Sequence, residues 1–242
     1  MGALDDVRLS ENNDPRCPCV LLLDTSGSMR GGPIAALNDG LCAFQEDIQK
    51  DPLAARRVEI AIVTFGAGGV QVWNLAGGRP EPVTWDAKSF AYSNDYFVEA
   101  GEFRPPTLTA GGSTPMGPAI ECGLDLLRER KARYNQHGIP YYRPWAFLIT
   151  DGAPDPGWEP AAQRVRSEDN DAKKGVAFFA VGVPPHANLE ILGQISPRQP
   201  VMLRAIDSFT EMFVWLSQSQ GRVSAGAVGA QTSLPPIGWG AV

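Results

Sequence analysis

Short, near-continuous apolar runs alternate along this chain with segments whose apolar residues recur at helical spacing. The first run, Val20 to Asp24, sets four apolar residues in succession before an acid. Ile34, Leu37, Leu41, Phe44 and Ile48 follow at 3,4,3,4 spacing, the buried stripe of a helix ended by Asp51-Pro52. Val58 to Phe65 repeats the strand pattern, Gly66 to Gly69 reads as a hairpin loop, and Val70 to Leu75 reads as an antiparallel edge strand. Met116, Ile120, Leu124 and Leu127 restore the helical period. Trp145 to Thr150, Val176 to Val183 and Val201 to Leu203 are further strands. Helices are predicted from Glu159 to Lys174, around Leu189 to Leu192, and through Phe209 to Leu216. Strands that are apolar at nearly every position need cover on both faces, which a mostly parallel sheet with helices on each side provides. The expected fold is α/β: a Rossmann-like three-layer α/β/α arrangement, its central sheet mostly parallel with one antiparallel edge strand.

In such sheets ligands gather beyond the carboxyl ends of the strands, where the strand order reverses. Val20 to Leu23 runs into Asp24, Ser26 and Ser28, three oxygen-bearing side chains at alternate positions on one rim. Hard oxygen ligands with no His or Cys nearby point to Mg²⁺, Mn²⁺ or Ca²⁺ rather than zinc or copper. The Trp145 strand ends in Thr150-Asp151-Gly152, which brings a second acid to the same rim if the two strands flank the reversal. A third loop, Ala110-Gly111-Gly112-Ser113-Thr114-Pro115-Met116-Gly117, places the Thr114 hydroxyl at a helix start. Alone, Thr114 would be a plain helix cap; beside the other two loops it is a fifth oxygen donor.

The rest of the composition bounds function by exclusion. A formal charge of -6 argues against nucleic acid as partner, since phosphate binding needs a basic stripe. The densest basic cluster, Arg128, Arg130, Lys131 and Arg133, lies toward the end of a predicted helix, where it favours the helix dipole. No apolar stretch approaches the length of a membrane span, and residues 1–16 form a polar, acidic arm unlike a signal peptide. The four cysteines show neither CxxC nor zinc spacing and read as buried thiols, which suits a cytoplasmic location. A domain spanning 17–219 is expected, with an aromatic-rich, aperiodic insertion around 77–100 holding a short helix or an extra hairpin. Residues 220–242 form a Gly/Ala/Pro-rich tail in which Leu234 to Trp239 looks like an anchor docked on its own domain.

DTSGSM, GGSTPMG and TDG, in this order, resemble the metal-ion-dependent adhesion site (MIDAS) of von Willebrand factor type A (VWA) domains. The resemblance covers about residues 17 to 219 and implies the VWA fold. It assigns Asp24, Ser26, Ser28, Thr114 and Asp151 as metal residues, with Thr114 favoured over Ser113 because it directly precedes Pro115. It implies a bound Mg²⁺ with one open position for an Asp or Glu carboxylate of another protein. Met29, Ser113 and Trp239 are the candidate partner contacts. FRPPTLTAGGSTPMG, GIPYYRPWAFLITDGAP and LPPIGW further resemble the bacterial TerY-like branch, associated with tellurium resistance and stress or defence responses. That branch implies a scaffold working with a Ser/Thr kinase or a PP2C phosphatase; an adaptor for an AAA+ ATPase or chelatase-type complex is the alternative.

Enzymatic readings fit poorly. A Mg²⁺-dependent phosphatase of the haloacid-dehalogenase type needs an acid two residues after its nucleophilic Asp, and Ser26 stands there. Ser26 lies in no GxSxG turn, and His137 and His186, the two histidines, read as surface residues. The expected protein is a non-catalytic, cation-dependent binding module.

Overall fold

The computed structural model describes residues 12–76, 79–86, 96–170 and 175–241. Most of the N-terminal arm, parts of the 77–100 segment and the expected helix end at Lys174 lie outside them.

Strand β1 (Cys17–Thr25) is buried along its whole length, as its apolar run requires. It is followed by a 3₁₀ turn (Gly27–Met29), helix α1 (Gly32–Ile48) and helix α2 (Pro52–Arg57). Pro52 therefore opens a helix as well as closing one, and the Asp51 carboxylate caps it by accepting from the amides of Leu53 and Ala54. Next come β2 (Val58–Gly66), β3 (Gly69–Asn74), β4 (Glu81–Thr84), β5 (Val98–Glu99) and the long helix α3 (Met116–Gln136). The second half carries β6 (Trp145–Thr150), α4 (Glu159–Glu168), β7 (Ala177–Gly182), α5 (Leu189–Ile195), β8 (Val201–Leu203), α6 (Phe209–Ala225) and β9 (Gly240–Ala241).

The sheet runs β4-β3-β2-β1-β6-β7-β8-β9. β1 lies parallel to β2 on one side, from Cys17 opposite Val58 to Thr25 opposite Gly66, and parallel to β6 on the other. The chain thus leaves β1 outward to β2 and returns to β6, so the strand order reverses between β1 and β6. One face of the sheet is covered by α1, α2, α6 and the C-terminal segment, through Leu37, Leu41, Phe44, Phe213 and Trp239. The other is covered by α3, α4 and α5, through Ile120, Leu124, Leu127, Val165 and Leu192. Alternate residues of β1 divide between them: Leu21 and Leu23 face the first core, Val20 and Leu22 the second.

Four expectations are corrected. The sheet has four antiparallel pairings among the described residues where one antiparallel edge strand was expected: β3 on β2, β4 on β3, β5 on β2 and β9 on β8. β4 and β9 are short and held through backbone pairing, which leaves little trace in side-chain periodicity. Within the 77–100 segment, β4 pairs with β3 and so displaces it from the edge, and its Pro82 cannot donate to a further strand. α6 continues to Ala225 rather than giving way to a tail at 220, and α4 ends at Glu168. Cys42 is exposed, while Cys17, Cys19 and Cys122 are buried.

At the amino end of β2, Glu59 is buried with 1% of its surface exposed. Arg130 Nε donates to it at 2.7 Å, Arg16 Nε lies 3.3 Å away, and the Tyr134 hydroxyl donates to the same carboxylate. Arg130, expected to serve the helix dipole, is instead drawn inward, its guanidinium 5.4 Å from the Phe97 ring centroid.

Candidate metal centre

Three loops meet beyond the carboxyl ends of β1 and β6. Their backbones are stitched before any side chain is considered. The Thr25 carbonyl accepts from the amides of Gly111 (2.8 Å) and Ala67 (3.1 Å), and the Gly27 amide donates to Gly112 O at 3.1 Å. Gly112 has φ +79, and a Cβ there would lie 2.5 Å from Gly66 O. Only glycine gives both that backbone conformation and that approach.

The side chains converge on the same rim. Asp24 Oδ1 accepts from the Ser26 amide at 2.7 Å, and Asp24 Oδ2 accepts from the Thr150 hydroxyl. The Ser26 and Ser28 hydroxyls are 3.0 Å apart, and Ser28 Oγ donates to Asp151 Oδ1 at 2.6 Å. That last bond joins the loop after β1 to the loop after β6. Thr114 Oγ1 belongs to the same cluster: a Cβ on Gly152 would stand 3.6 Å from Ser28 Oγ and 3.8 Å from Thr114 Oγ1. The five oxygen-bearing residues picked from the sequence are therefore neighbours, with Asp24, Ser26 and Asp151 buried, Thr114 half-buried and Ser28 exposed.

Two further residues support the cluster and were given no role from the sequence. Thr150 holds Asp24 by its hydroxyl, a role hinted at by its place directly before Asp151. Asp155 clamps the third loop: its carboxylate accepts from the Thr114 amide at 3.1 Å, and its own amide donates to Thr114 O at 2.9 Å. Nothing in the sequence pattern marks Asp155, because its partner is forty-one residues upstream. Ser113 is exposed beside Thr114. Met29 is corrected: its side chain is fully buried and anchors the 3₁₀ turn in the core, so it offers no surface to a partner. Trp239 is corrected likewise, being 3% exposed and packed edge-on against Trp215 within the same chain, ring centroids 5.6 Å apart. His137 and His186 are both exposed.

The side chains of the cluster bring acids and hydroxyls together. Burial pushes the Asp24 carboxyl above its ordinary range; hydrogen bonds from Ser26 and Thr150 oppose the rise, and the neighbouring Asp151 adds to it. Among the described residues neither Asp24 nor Asp151 has a Lys or Arg ion-pair partner. Two buried carboxylates without a Lys or Arg ion pair among the described residues, and three hydroxyls, form a hard oxygen donor set that would suit Mg²⁺. No group of three or more His, Cys, Asp or Glu side chains capable of holding a metal occurs among the described residues, so the hydroxyls would have to complete the ligand set.

The von Willebrand factor type A domain profile matches residues 19–213. No curated protein sequence matches the chain. Among solved structures, proximal thread matrix protein 1 of the mussel byssus shares 14% identity at a TM-score of 0.51, over 86% of this chain and 48% of its own. One form of that protein has a zinc-occupied MIDAS motif. The pilus adhesin SpaC of Lactobacillus rhamnosus GG, in its open conformation, shares 14% at 0.57, over 87% of this chain and 31% of its own. A human COPII-coat protein shares 11% at 0.55, over 89% of this chain and 34% of its own. The chain spans less than half the length of each of these proteins, and the likeness is one of fold. Together with the α/β/α layers and the reversal between β1 and β6, the profile match shows that the chain belongs to the von Willebrand factor type A domain family.

Proposed function

We propose that this domain is a non-catalytic protein-binding module that takes up a divalent cation, Mg²⁺ first and Mn²⁺ or Ca²⁺ otherwise, at a MIDAS formed by Asp24, Ser26, Ser28, Thr114 and Asp151. The observation that carries the reading is the Ser28–Asp151 bond, which joins two loops that each bring a buried carboxylate. Asp24 fixes the Ser26 amide and the Thr150 hydroxyl, so its own oxygens are held at the rim by two donors. Asp151 orients Ser28, and Asp155 holds the backbone from which Thr114 projects. Bound there, Mg²⁺ supplies a coordination position that an Asp or Glu carboxylate of a partner protein can fill. The zinc-occupied MIDAS of the mussel protein, on the same fold, supports the assignment.

The setting we favour is a bacterial, cytoplasmic stress or defence response of the TerY-like kind, with a Ser/Thr kinase or PP2C phosphatase as partner. The strings FRPPTLTAGGSTPMG and GIPYYRPWAFLITDGAP support it. Among the described residues no helix is long and apolar enough to cross a membrane.

Pull-down from host lysate with the EDTA-stripped protein, and with Mg²⁺ restored, tests the partner reading. Recovery of a kinase or PP2C phosphatase only with Mg²⁺, and lost in Thr114→Ala, is expected. Equal recovery in EDTA and by Thr114→Ala sinks it, and recovery of an AAA+ subunit in their place favours the adaptor role. Asp155→Ala tests the supporting shell. Its Mg²⁺ affinity by calorimetry should fall by about 10- to 100-fold, the usual effect of losing a group that positions a ligand, with the circular dichroism spectrum unchanged. An unaltered affinity would remove Asp155 from the site.

A further inference from the structure

The three loops of the metal centre, residues 24–31, 110–117 and 150–157, hold three acids and one base. Each acid already accepts from this chain. Asp24 takes the Ser26 amide and the Thr150 hydroxyl, Asp151 takes the Ser28 hydroxyl, and Asp155 takes the Thr114 amide. The base, Arg30, stands two residues past Ser28 and pairs with none of them. It is exposed, and among the described residues it has no carboxylate partner.

Its place is nonetheless set. Met29, directly before it, is fully buried, and Gly31, directly after it, has φ +81 and turns the chain into α1. Arg30 Nε donates to Ala110 O at a long 3.4 Å, and Nη2 lies 3.5 Å from where a Cβ on Gly111 would stand. The guanidinium therefore rests on the third loop at Ala110 and Gly111, while that loop's metal oxygen belongs to Thr114. The first turns of α1 and α3, the helices that leave these loops, bring no Asp or Glu to it. A guanidinium fork offers paired N–H donors that match one carboxylate. Phosphate recognition more often gathers several arginines, and these loops carry one.

We infer that Arg30 is a second anchor for the partner protein: it takes a second Asp or Glu, set beside the one that reaches the metal. The surface then selects a segment with two neighbouring acids over a lone carboxylate. This inference rests on the proposed metal site, and adds to it the kind of partner segment that fits.

The probes are acetyl-Gly-Gly-Asp-Gly-Gly-amide and three peptides with a second Asp two, three or four residues from the first. Each is titrated by NMR into the full chain with Mg²⁺ in excess. The best two-acid peptide should bind about fivefold more tightly than the one-acid peptide, the upper end for an exposed ion pair. It should also move the Arg30 Nε–H resonance, identified by its absence in Arg30→Gln. Arg30→Gln should bind the four peptides alike. Arg56→Gln, the same loss of charge at the amino end of β2 and so away from the metal rim, should keep the preference. The inference is overturned, with the metal site intact, if the one-acid peptide needs Mg²⁺ yet no second Asp tightens binding. A preference that survives in Arg30→Gln, or that is lost in Arg56→Gln, overturns it too. A one-acid peptide that fails to bind, or binds equally in EDTA, sinks the metal site and this inference with it.

Discussion

Asp24→Asn is expected to abolish the response of this domain to Mg²⁺ while leaving the metal-free protein at least as stable as the parent. The substitution keeps the shape of the side chain and an oxygen for the Ser26 amide or the Thr150 hydroxyl, and removes one charge from a buried acid pair that has no Lys or Arg ion pair among the described residues. Without metal that charge opposes folding, so removing it costs little. With metal the same charge is the chief attraction. At a Mg²⁺ concentration one hundred times its dissociation constant, the parent should gain about 2.7 kcal/mol, or roughly 5–10 °C in melting temperature. Asp24→Asn should gain nothing measurable, its Mg²⁺ affinity falling by about 100-fold or more. Asp24→Ala should also lose the metal but melt lower than Asp24→Asn, because it strands the Ser26 amide and the Thr150 hydroxyl, at about 1–3 kcal/mol for each buried group left unpaired. Differential scanning calorimetry with EDTA and with Mg²⁺ separates these effects. A full Mg²⁺ shift in Asp24→Asn would remove Asp24 from the metal centre.

The residues around Asp24 also explain why the three loops were legible in the sequence. Asp24, Ser26 and Ser28 sit at alternate positions just past a wholly apolar strand, and Asp151 ends another, so strand periodicity alone carries them to one rim. The neighbours that hold them in place left no such trace. Asp155 acts through a backbone amide far upstream, and Met29 sits beside Ser28 yet turns inward. The helix ending the fold shows a different failure. Its apolar stripe stops at Leu216, but α6 continues because its inner face turns polar: Ser219, Gln220 and Ser224 are fully buried. Its end is then held by the Arg57 guanidinium and the Tyr142 hydroxyl, both donating to Ser224 O, at 2.6 and 2.9 Å. A hydrophobic pattern cannot follow a helix whose buried side is made of hydroxyls and amides. The same blindness applied to Arg130, whose sequence neighbourhood is a solvated basic run and whose side chain is nonetheless interior.

That buried arginine leads to the largest stability effect expected of any single substitution here. Glu59→Gln removes the carboxylate that faces the Arg130 and Arg16 guanidiniums, 6% and 1% exposed, and leaves Arg16 the Glu99 carboxylate 3.3 Å away. Breaking a buried pair from one side typically costs about 3–5 kcal/mol, because the remaining charge keeps its desolvation penalty. For a domain of this size the melting temperature should drop on the order of 10 °C at neutral pH. The pH dependence gives an independent check. Burial by itself would raise the Glu59 carboxyl, but Arg130, then Arg16, and the Tyr134 hydroxyl outweigh it and hold the group below its ordinary value of 4.5. An acid whose folded-state pKa lies below its unfolded one stabilises the fold fully above the unfolded value, and that contribution disappears as pH falls through the folded one. The gap in melting temperature between the parent and Glu59→Gln should therefore be widest near neutrality and narrow below about pH 4.5. Adding Arg130→Met to Glu59→Gln removes the buried charge that faced the lost carboxylate most closely, so the double variant should lose less than the two single losses added together. Arg16 can stay in place, since its guanidinium also donates to the carbonyls of Asn12 and Arg56. A Glu59→Gln protein within about 1 kcal/mol of the parent, a surface-like value, would show that the pair is not the buried linkage its geometry describes. So would a gap that persists undiminished into acid.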